Sequence, residues 1–368
     1  MRILVTGSSG FIGKNLISIL KYKYPTVDIL TYDQENTEAQ LSVYTSQCDF
    51  VIHLAGVNRP NNNDDFIKGN FNLTKKLVEN LEKNSNLVPI IFSSSIQSDL
   101  SNEYGRSKKM AEDEILDYSR KNNIKSYIFK LTNVFGKWCK PNYNSVVATF
   151  CSKIANNQEI TINDPKTKLN LIHVDDVVKC IIELLHKESD EIYQTAYPTY
   201  QVTLQELSEH LMGFKNISKT LLFPNLNDDF IKKLYSTYVT YMNPSDWVYE
   251  LKMHVDNRGY FSEVAKISSG GQFSINLSHK SIIKGNHWHS LKHEKFIVIH
   301  GNGLIKLRDI YNDQVHEIFV NGESLKVVEI VPGMTHSIEN LGEDNLITLM
   351  WVNEHFNSQE ADTYYLDV

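Results

Sequence analysis

The sequence predicts an α/β chain in two parts, a doubly wound parallel sheet followed by an all-β barrel, and three observations predict it. A buried strand pattern at residues 2–6 runs straight into Gly7-Ser8-Ser9-Gly10-Phe11-Ile12-Gly13 and then an amphipathic helix. Further strand-like runs at 29–32, 50–54, 90–92 and 127–131 alternate with helical patterns, as a parallel sheet requires. Beyond Asn243-Pro244-Ser245 the helices give way to short alternating runs at 273–277, 296–299, 303–307, 315–320, 325–330 and 346–351. The boundary is therefore expected at 243/244, giving domains 1–243 and 244–368.

Length and composition agree with two domains. A chain of 368 residues with 41% hydrophobic and 22% charged residues suits an ordinary water-soluble protein with two cores. A formal charge of -7 argues against nucleic acid as a partner. No membrane span is expected, because the apolar run 177–185 is interrupted by Lys179 and Glu183. Met1 leads at once into a strand, so no signal peptide is expected. Cys48, Cys139, Cys151 and Cys180 form no C-x-x-C and no paired framework, which points to a reducing cytoplasm.

The G-x-x-G-x-x-G of Gly7, Gly10 and Gly13 lies between a strand and a helix, where a Rossmann-like fold lets the backbone approach a pyrophosphate and aims helix N–H groups at its charge. Asp33 ends the second strand. Its carboxylate would accept from an adenosine ribose 2′-hydroxyl and repel a 2′-phosphate, which favours NADH; it also reads as an ordinary turn residue. His53-Leu54-Ala55-Gly56 closes the third strand with small residues suited to a cofactor lying above. Ser93-Ser94-Ser95 closes the fourth, and Tyr104 and Lys108, at i and i+4, share one face of the helix that follows. An ammonium beside a phenol keeps its proton mobile, and a serine hydroxyl can hold a substrate oxygen. Residues 188–243 read as looser polar segments with one clear helix at 204–212.

The second half carries metal-ligand chemistry. His287 and His289 leave the same face of a strand, Glu294 follows a short turn at 290–293, and His336 stands behind a Pro332-Gly333 turn. Imidazoles and one carboxylate with a position left open suit Zn²⁺, and Fe²⁺ or Mn²⁺ also fit.

These motifs resemble known families. The glycine turn, the serine-ended strand and Tyr104-x-x-x-Lys108 resemble the extended short-chain dehydrogenase/reductases, as do Asn70 and the segments 131–136 and 172–177. That resemblance implies Tyr104 as proton donor, Lys108 on the nicotinamide ribose, Ser95 (or Ser94) as the hydroxyl and Asn133 near the substrate. The basic, amide-rich stretch 137–144 would then meet a sugar nucleotide's diphosphate and uracil. The histidine spacing resembles the cupin barrel. Segments 255–263 and 283–287 resemble cupin epimerases that act beside a 4-keto group, which makes His287 a base as well as a candidate ligand and Arg258 and Lys284 anion-binding candidates.

The whole chain, above all 135–154 and 285–296, resembles a family of bifunctional capsular-polysaccharide synthesis enzymes. That implies a UDP-2-acetamido-2,6-dideoxy-4-keto-hexose, epimerised at C3 by the cupin and reduced at C4 by the first domain to a UDP-N-acetyl-6-deoxytalosamine on the route to N-acetyl-L-fucosamine. It also implies NADPH, although no arginine follows Asp33 to hold the 2′-phosphate. Homo-oligomeric assembly is expected. A dinucleotide sensor with a sugar-binding cupin and no turnover, and a metal-dependent oxygenase, are the alternatives.

Overall fold

A computed structural model describes residues 1–60, 62, 64–357 and 359–368. The chain divides into two compact units, Met1–Leu211 with Lys233–Met242, and Met212–Lys232 with Asn243–Val368.

The first unit is built on β1 (Arg2–Thr6), β2 (Asp28–Tyr32), β3 (Phe50–His53), β4 (Ile90–Ser95) and β5 (Ser126–Leu131). After them come β6 (Asn133–Phe135), β7 (Lys168–His173), β8 (Tyr193–Gln194) and β9 (Tyr200–Thr203). Six strands form one sheet in the order β2-β1-β3-β4-β5-β8, every pairing parallel, while β6, β7 and β9 make a small separate sheet. Both faces of the large sheet are covered. Ile3, Val5, Phe50 and Ile52 point into one core with Leu16, Leu20, Val177 and Ile181 of helices Phe11–Lys23 and Val174–His186. Leu4 and Val51 point into the other, with Leu77 and Leu81 of helix Leu73–Lys83 and Ile115 of helix Glu103–Asn122. This is why the strands read as continuous apolar runs rather than alternations. Each such side chain contributes about 1.5–3 kcal/mol of burial.

The strand order reverses between β1 and β3, which opens a crevice outside their carboxyl ends. Gly7 turns there with φ +70°, and a Cβ on it would lie 2.6 Å from the backbone nitrogen of Ala55. A Cβ on Gly13 would lie 2.2 Å from the carbonyl of Gly7, so only glycine lets the helix seat against the turn.

Helix Leu204–Lys215 covers the predicted 204–212. A second helix, Asp229–Val239, stands where the composition suggested only loose polar chain; its apolar Ile231, Leu234 and Tyr238 fall at helical spacing and are buried.

The second unit contains β10 (Leu222–Phe223), β11 (Met253–Asp256), β12 (Gly259–Ile267), β13 (Gln272–Ser278), β14 (Ile283–Trp288), β15 (Glu294–His300) and β16 (Asn302–Asp309). It continues with β17 (Val315–Asn321), β18 (Val327–Ile330), β19 (Met334–Asn340), β20 (Leu346–Val352) and β21 (Tyr364–Tyr365). One sheet runs β10-β12-β13-β20-β15-β18 with β11 on β12; the other runs β17-β16-β19-β14-β21. Phe296, Val298, Ile305, Leu307, Val328, Ile330 and Ile338 fill an apolar core between them. The alternation of β13 is the reverse of an ordinary half-buried strand. Gln272, Ser274, Asn276 and Ser278 are buried, while Phe273, Ile275 and Leu277 are only half-buried.

The imidazole of His53 ties the first unit together. It is fully buried between the Thr6 hydroxyl at 2.6 Å and the Thr74 hydroxyl at 2.9 Å, linking β3 to β1 and to helix Leu73–Lys83. Burial first, and the Lys108 charge second, push its pKa down to about 3. The unfolded chain takes up a proton near pH 6.5 that the folded chain refuses, so the stability conferred by neutral His53 is complete above about pH 6.5 and lost as pH falls toward 3. The loss should be on the order of a few kcal/mol. His53→Asn should therefore be less stable than wild type at pH 7 but lose less stability on acidification, read from urea midpoints at pH 7 and 5; equal acid slopes would contradict this.

Candidate functional site

In the first unit Asp33 follows β2, Ser95 ends β4 and Tyr104 and Lys108 lie on the helix after it, while Asn133 begins β6 in the separate small sheet. Asp33 lies against the glycine turn, where its carboxylate accepts from the Ser8 hydroxyl, from the Ser9 N–H at 3.1 and 3.2 Å and from the Ser9 hydroxyl at 2.9 Å. Tyr104 opens the helix whose N-cap is Asn102, with the Asn102 side chain accepting from the Gly105 N–H at 2.7 Å. Burial raises the Tyr104 pKa, the Ser95 hydroxyl opposes that rise, and Tyr143 adds to it. Tyr143, within the stretch 137–144, is thus near enough to the Tyr104 phenol to act on it electrostatically.

Lys108 is buried and donates to the Ser93 carbonyl at 3.0 Å, with the Phe92 ring 4.9 Å away. Burial brings its pKa down to about 8, while Glu112 pulls the other way. The two serines differ. Ser94 donates at 2.5 Å to Glu112, whereas Ser95 accepts from the Gln97 N–H at 3.2 Å and stands beside Tyr104. Asn70 sits in a π-helical turn, Ile67–Asn72. It accepts from the Val57 N–H at 2.9 Å and donates to the Val57 carbonyl at 3.1 Å and the Ser107 hydroxyl at 2.9 Å. Such a turn interrupts an ordinary helix to aim a side chain, and here it places the Asn70 amide near Lys108 across Gly56. Asn133 begins β6, exposed, and donates to the Asn170 carbonyl at 3.3 Å.

In the second unit His287, His289, Glu294 and His336 come together, with one ligand atom from each all lying within 4.8 Å of one another. Register explains the convergence. His287 on β14 pairs directly with His336 on β19, their rings 4.4 Å apart. A bulge between Gly285 and His287 inserts Asn286, at φ +57°, so Lys284 and His287 face the same interior although they are three residues apart. Glu294 lies one row from Phe296 on the inner face of β15. Its carboxylate is 3.5 Å from the Nε2 of both His289 and His336.

His289 Nε2, Glu294 Oε2 and both nitrogens of His336 are buried without a hydrogen-bond partner among the described residues. Orphaned buried acceptors are costly unless something binds them, and three aimed at one point fit a divalent cation. Burial, then His287, push the His336 pKa down to about 3. Burial works to raise the Glu294 carboxyl, yet His289 and His336 outweigh it and hold it below its ordinary value. His336 and Glu294 therefore present unprotonated ligand atoms at neutral pH. Lys284 donates to the Asn276 Oδ1 and to the Leu277 carbonyl, each at 2.8 Å, which carries the polar interior on from the metal ligands. Arg258 is exposed and paired with Asp256 at 2.7 Å.

Sequence reasoning missed the segment at 362–366. The Asp362 carbonyl accepts from His289 Nδ1. A carbonyl can only accept, so Nδ1 carries the hydrogen and Nε2 keeps its lone pair for a metal. The Asp362 carboxylate gathers the N–H groups of Ser290, Leu291 and Lys292 at 2.8, 2.7 and 2.7 Å, which holds the turn between His289 and Glu294. Tyr364 stacks on Trp288 at 4.6 Å as β21 pairs with β14. Asp362 alone in a polar tail offers no local pattern that would have found it.

Both halves of the chain have relatives among known proteins. The NAD-dependent epimerase/dehydratase family matches residues 3–196, and the polysaccharide biosynthesis C-terminal domain matches 254–364. The chain is 38% identical to the UDP-2-acetamido-2,6-beta-L-arabino-hexul-4-ose reductase of Pseudomonas aeruginosa, covering 100% of this chain and 99% of that one. The crystal structure of the capsular polysaccharide assembling protein CapF from Staphylococcus aureus superposes with a TM-score of 0.93 at 41% identity, over 100% of both chains. The UDP-glucose 4-epimerase of Thermus thermophilus, in complex with NAD, matches 59% of this chain and 84% of its own with a TM-score of 0.52 at 17% identity, a likeness of fold.

Asp362→Ala would leave three N–H groups without their acceptor and loosen the turn between two metal-ligand candidates. Its expected cost is about 1–3 kcal/mol. Thermal melting and bound divalent metal after dialysis should both fall below wild type; a variant unchanged in both would remove Asp362 from the site.

Proposed function

The chain belongs to the NAD-dependent epimerase/dehydratase family, is alike to CapF over its whole length, and from that premise we propose a bifunctional nucleotide-sugar enzyme of capsule synthesis. The substrate is a UDP-2-acetamido-2,6-dideoxy-4-keto-hexose, epimerised at C3 within 244–368 and then reduced at C4 within 1–243 to a UDP-N-acetyl-6-deoxytalosamine. The carrying observation is that one chain holds both a half-buried Tyr104 beside Ser95 with a buried Lys108 one helical turn on, and a convergent three-imidazole, one-carboxylate cluster. Chemistry sets the order, because the C3 proton is labile only while C4 remains a ketone.

In the reductase, the Ser95 hydroxyl holds the C4 carbonyl oxygen, and Tyr104 delivers a proton to it as hydride arrives at C4 from the reduced coenzyme. Lys108 keeps positive charge beside the phenol and binds the nicotinamide ribose. Asp33 accepts from the 2′-hydroxyl of NADH. Because Ser8 and Ser9 already donate to Asp33, its repulsion of a 2′-phosphate is softened, so NADPH is accepted as well. The similarity to CapF favours NADPH in the cell. Asn133 meets the sugar.

In the epimerase, His289, Glu294 and His336 hold a divalent cation, Zn²⁺ first, with His287 completing the set or standing free as base. Held there, the cation supplies Lewis-acid stabilisation of charge on O4 when the C3 proton leaves. His287 is the least buried of the three imidazoles, which supports its taking and returning that proton. Lys284 and Arg258 meet the diphosphate. No described helix is long and apolar enough to cross a membrane.

Product analysis with a UDP-4-keto-6-deoxy-HexNAc, with and without NADPH, tests the assignment. Tyr104→Phe should lower reduction by about 10²- to 10⁴-fold while coenzyme still binds; near wild-type reduction would defeat the role of Tyr104. In D₂O without coenzyme, the intact protein should place deuterium at C3. His336→Ala should lose metal and exchange together, and His287→Gln should keep metal but lose exchange. A metal-replete wild type with no exchange would reduce the second unit to a binding module.

A further inference from the structure

Glu112 is a fully buried carboxylate that the proposed reductase mechanism does not use. It lies one helical turn beyond Lys108, as Lys108 lies one turn beyond Tyr104, so the three share one stripe of the helix. The Ser94 hydroxyl donates to one carboxylate oxygen at 2.5 Å and the Tyr193 hydroxyl to the other at 3.2 Å.

The nearest cations do not account for its burial. Lys109 is 3.6 Å away but lies 3.0 Å from the exposed Asp113, and Lys130 is 4.0 Å away but lies 2.5 Å from the exposed Asp99. Both have closer carboxylates in water, where an ion pair needs no burial. A wholly buried carboxylate supported by hydroxyls is worth its desolvation where another buried charge needs it.

That charge is Lys108. Around its ammonium stand the Ser93 carbonyl and Phe92 ring of β4, neutral His53 of β3, the Asn70 amide across the Gly56 backbone, and Tyr104 on its own helix. None of these carries negative charge while Tyr104 is protonated. We propose that Glu112 is a positioning residue of the reductase, whose anchored negative charge keeps Lys108 protonated behind the proton donor. Its pull on the Lys108 pKa, against burial, agrees in sign. The inference rests on the reductase assignment of Tyr104 and Lys108.

Lys108 acts as the ammonium, so the function it supports falls away as pH rises through its pKa. Removing the Glu112 charge should bring that fall to lower pH. The test measures two profiles from pH 6 to 10 with the full chain, NADPH affinity by fluorescence titration and the rate of 4-keto sugar reduction. Glu112→Gln, which keeps the shape and an acceptor, should move both alkaline limbs down by about one pH unit, a roughly tenfold loss at pH 8.5 with little change at pH 6. Glu112→Asp should restore most of the shift.

A folded Glu112→Gln with unmoved limbs, whatever its overall rate, would overturn the proposal in favour of a packing role. Wild type that binds NADPH but reduces no sugar would sink the reductase assignment, while the binding limb would still decide the Glu112 proposal. If Glu112→Gln fails to fold, the cycle is run from the other side. Lys108→Met strands the buried carboxylate, so adding Glu112→Gln to it should raise the melting temperature by a few degrees; a double variant less stable than Lys108→Met would overturn the proposal.

Discussion

Desolvation of ionisable side chains is the constraint on which both units depend. A charge or an unpaired polar atom taken out of water costs several kcal/mol unless a partner is built in with it. The first unit buries Lys108, Glu112 and His53 around the ends of β3 and β4. It resolves them differently: His53 stays neutral between two threonine hydroxyls, Lys108 donates to a backbone carbonyl, and Glu112 accepts from two hydroxyls. In the second unit His289 Nε2, Glu294 Oε2 and both nitrogens of His336 have no hydrogen-bond partner among the described residues, which sets this cluster apart from a satisfied structural network.

The orienting groups sit one step behind the candidate site residues. Asp362 fixes which nitrogen of His289 carries hydrogen, and Asn70 braces the chain that Lys108 and Tyr104 face. Such supports set position rather than reactivity. They come from segments far away in sequence, so the geometry of each site depends on the whole unit being folded.

Where short-range rules apply, the sequence was legible. The glycine turn between strand and helix and the i and i+4 spacing of Tyr104 and Lys108 follow from local periodicity and fall on the expected elements, whereas of the two-residue pair His287 lies on β14 and His289 stands just past its end. Less legible were β11, β12, β14 and β19, whose residues are mixed with Lys, Asn, Ser and His and lack a clean apolar alternation. The face of β13 could not be read either. Its alternation is plain, but period two does not say which set points inward, and here pairing placed the polar set there.

By itself, then, the sequence determined the fold class of both halves, the crevice-forming glycine turn, and the candidates for binding a dinucleotide, moving a proton or ligating a metal. These depend on residue type and on spacing within a few positions, which backbone geometry converts directly into a shared face. Tertiary structure decided the rest. It separated Ser95 from Ser94 by giving Ser94 to Glu112, turned Lys284 inward through the bulge at Asn286, paired Arg258 with Asp256, and brought Asp362 to His289. Each of these is set by strand register or by contact between distant segments, and no local pattern of residues encodes which distant group will arrive.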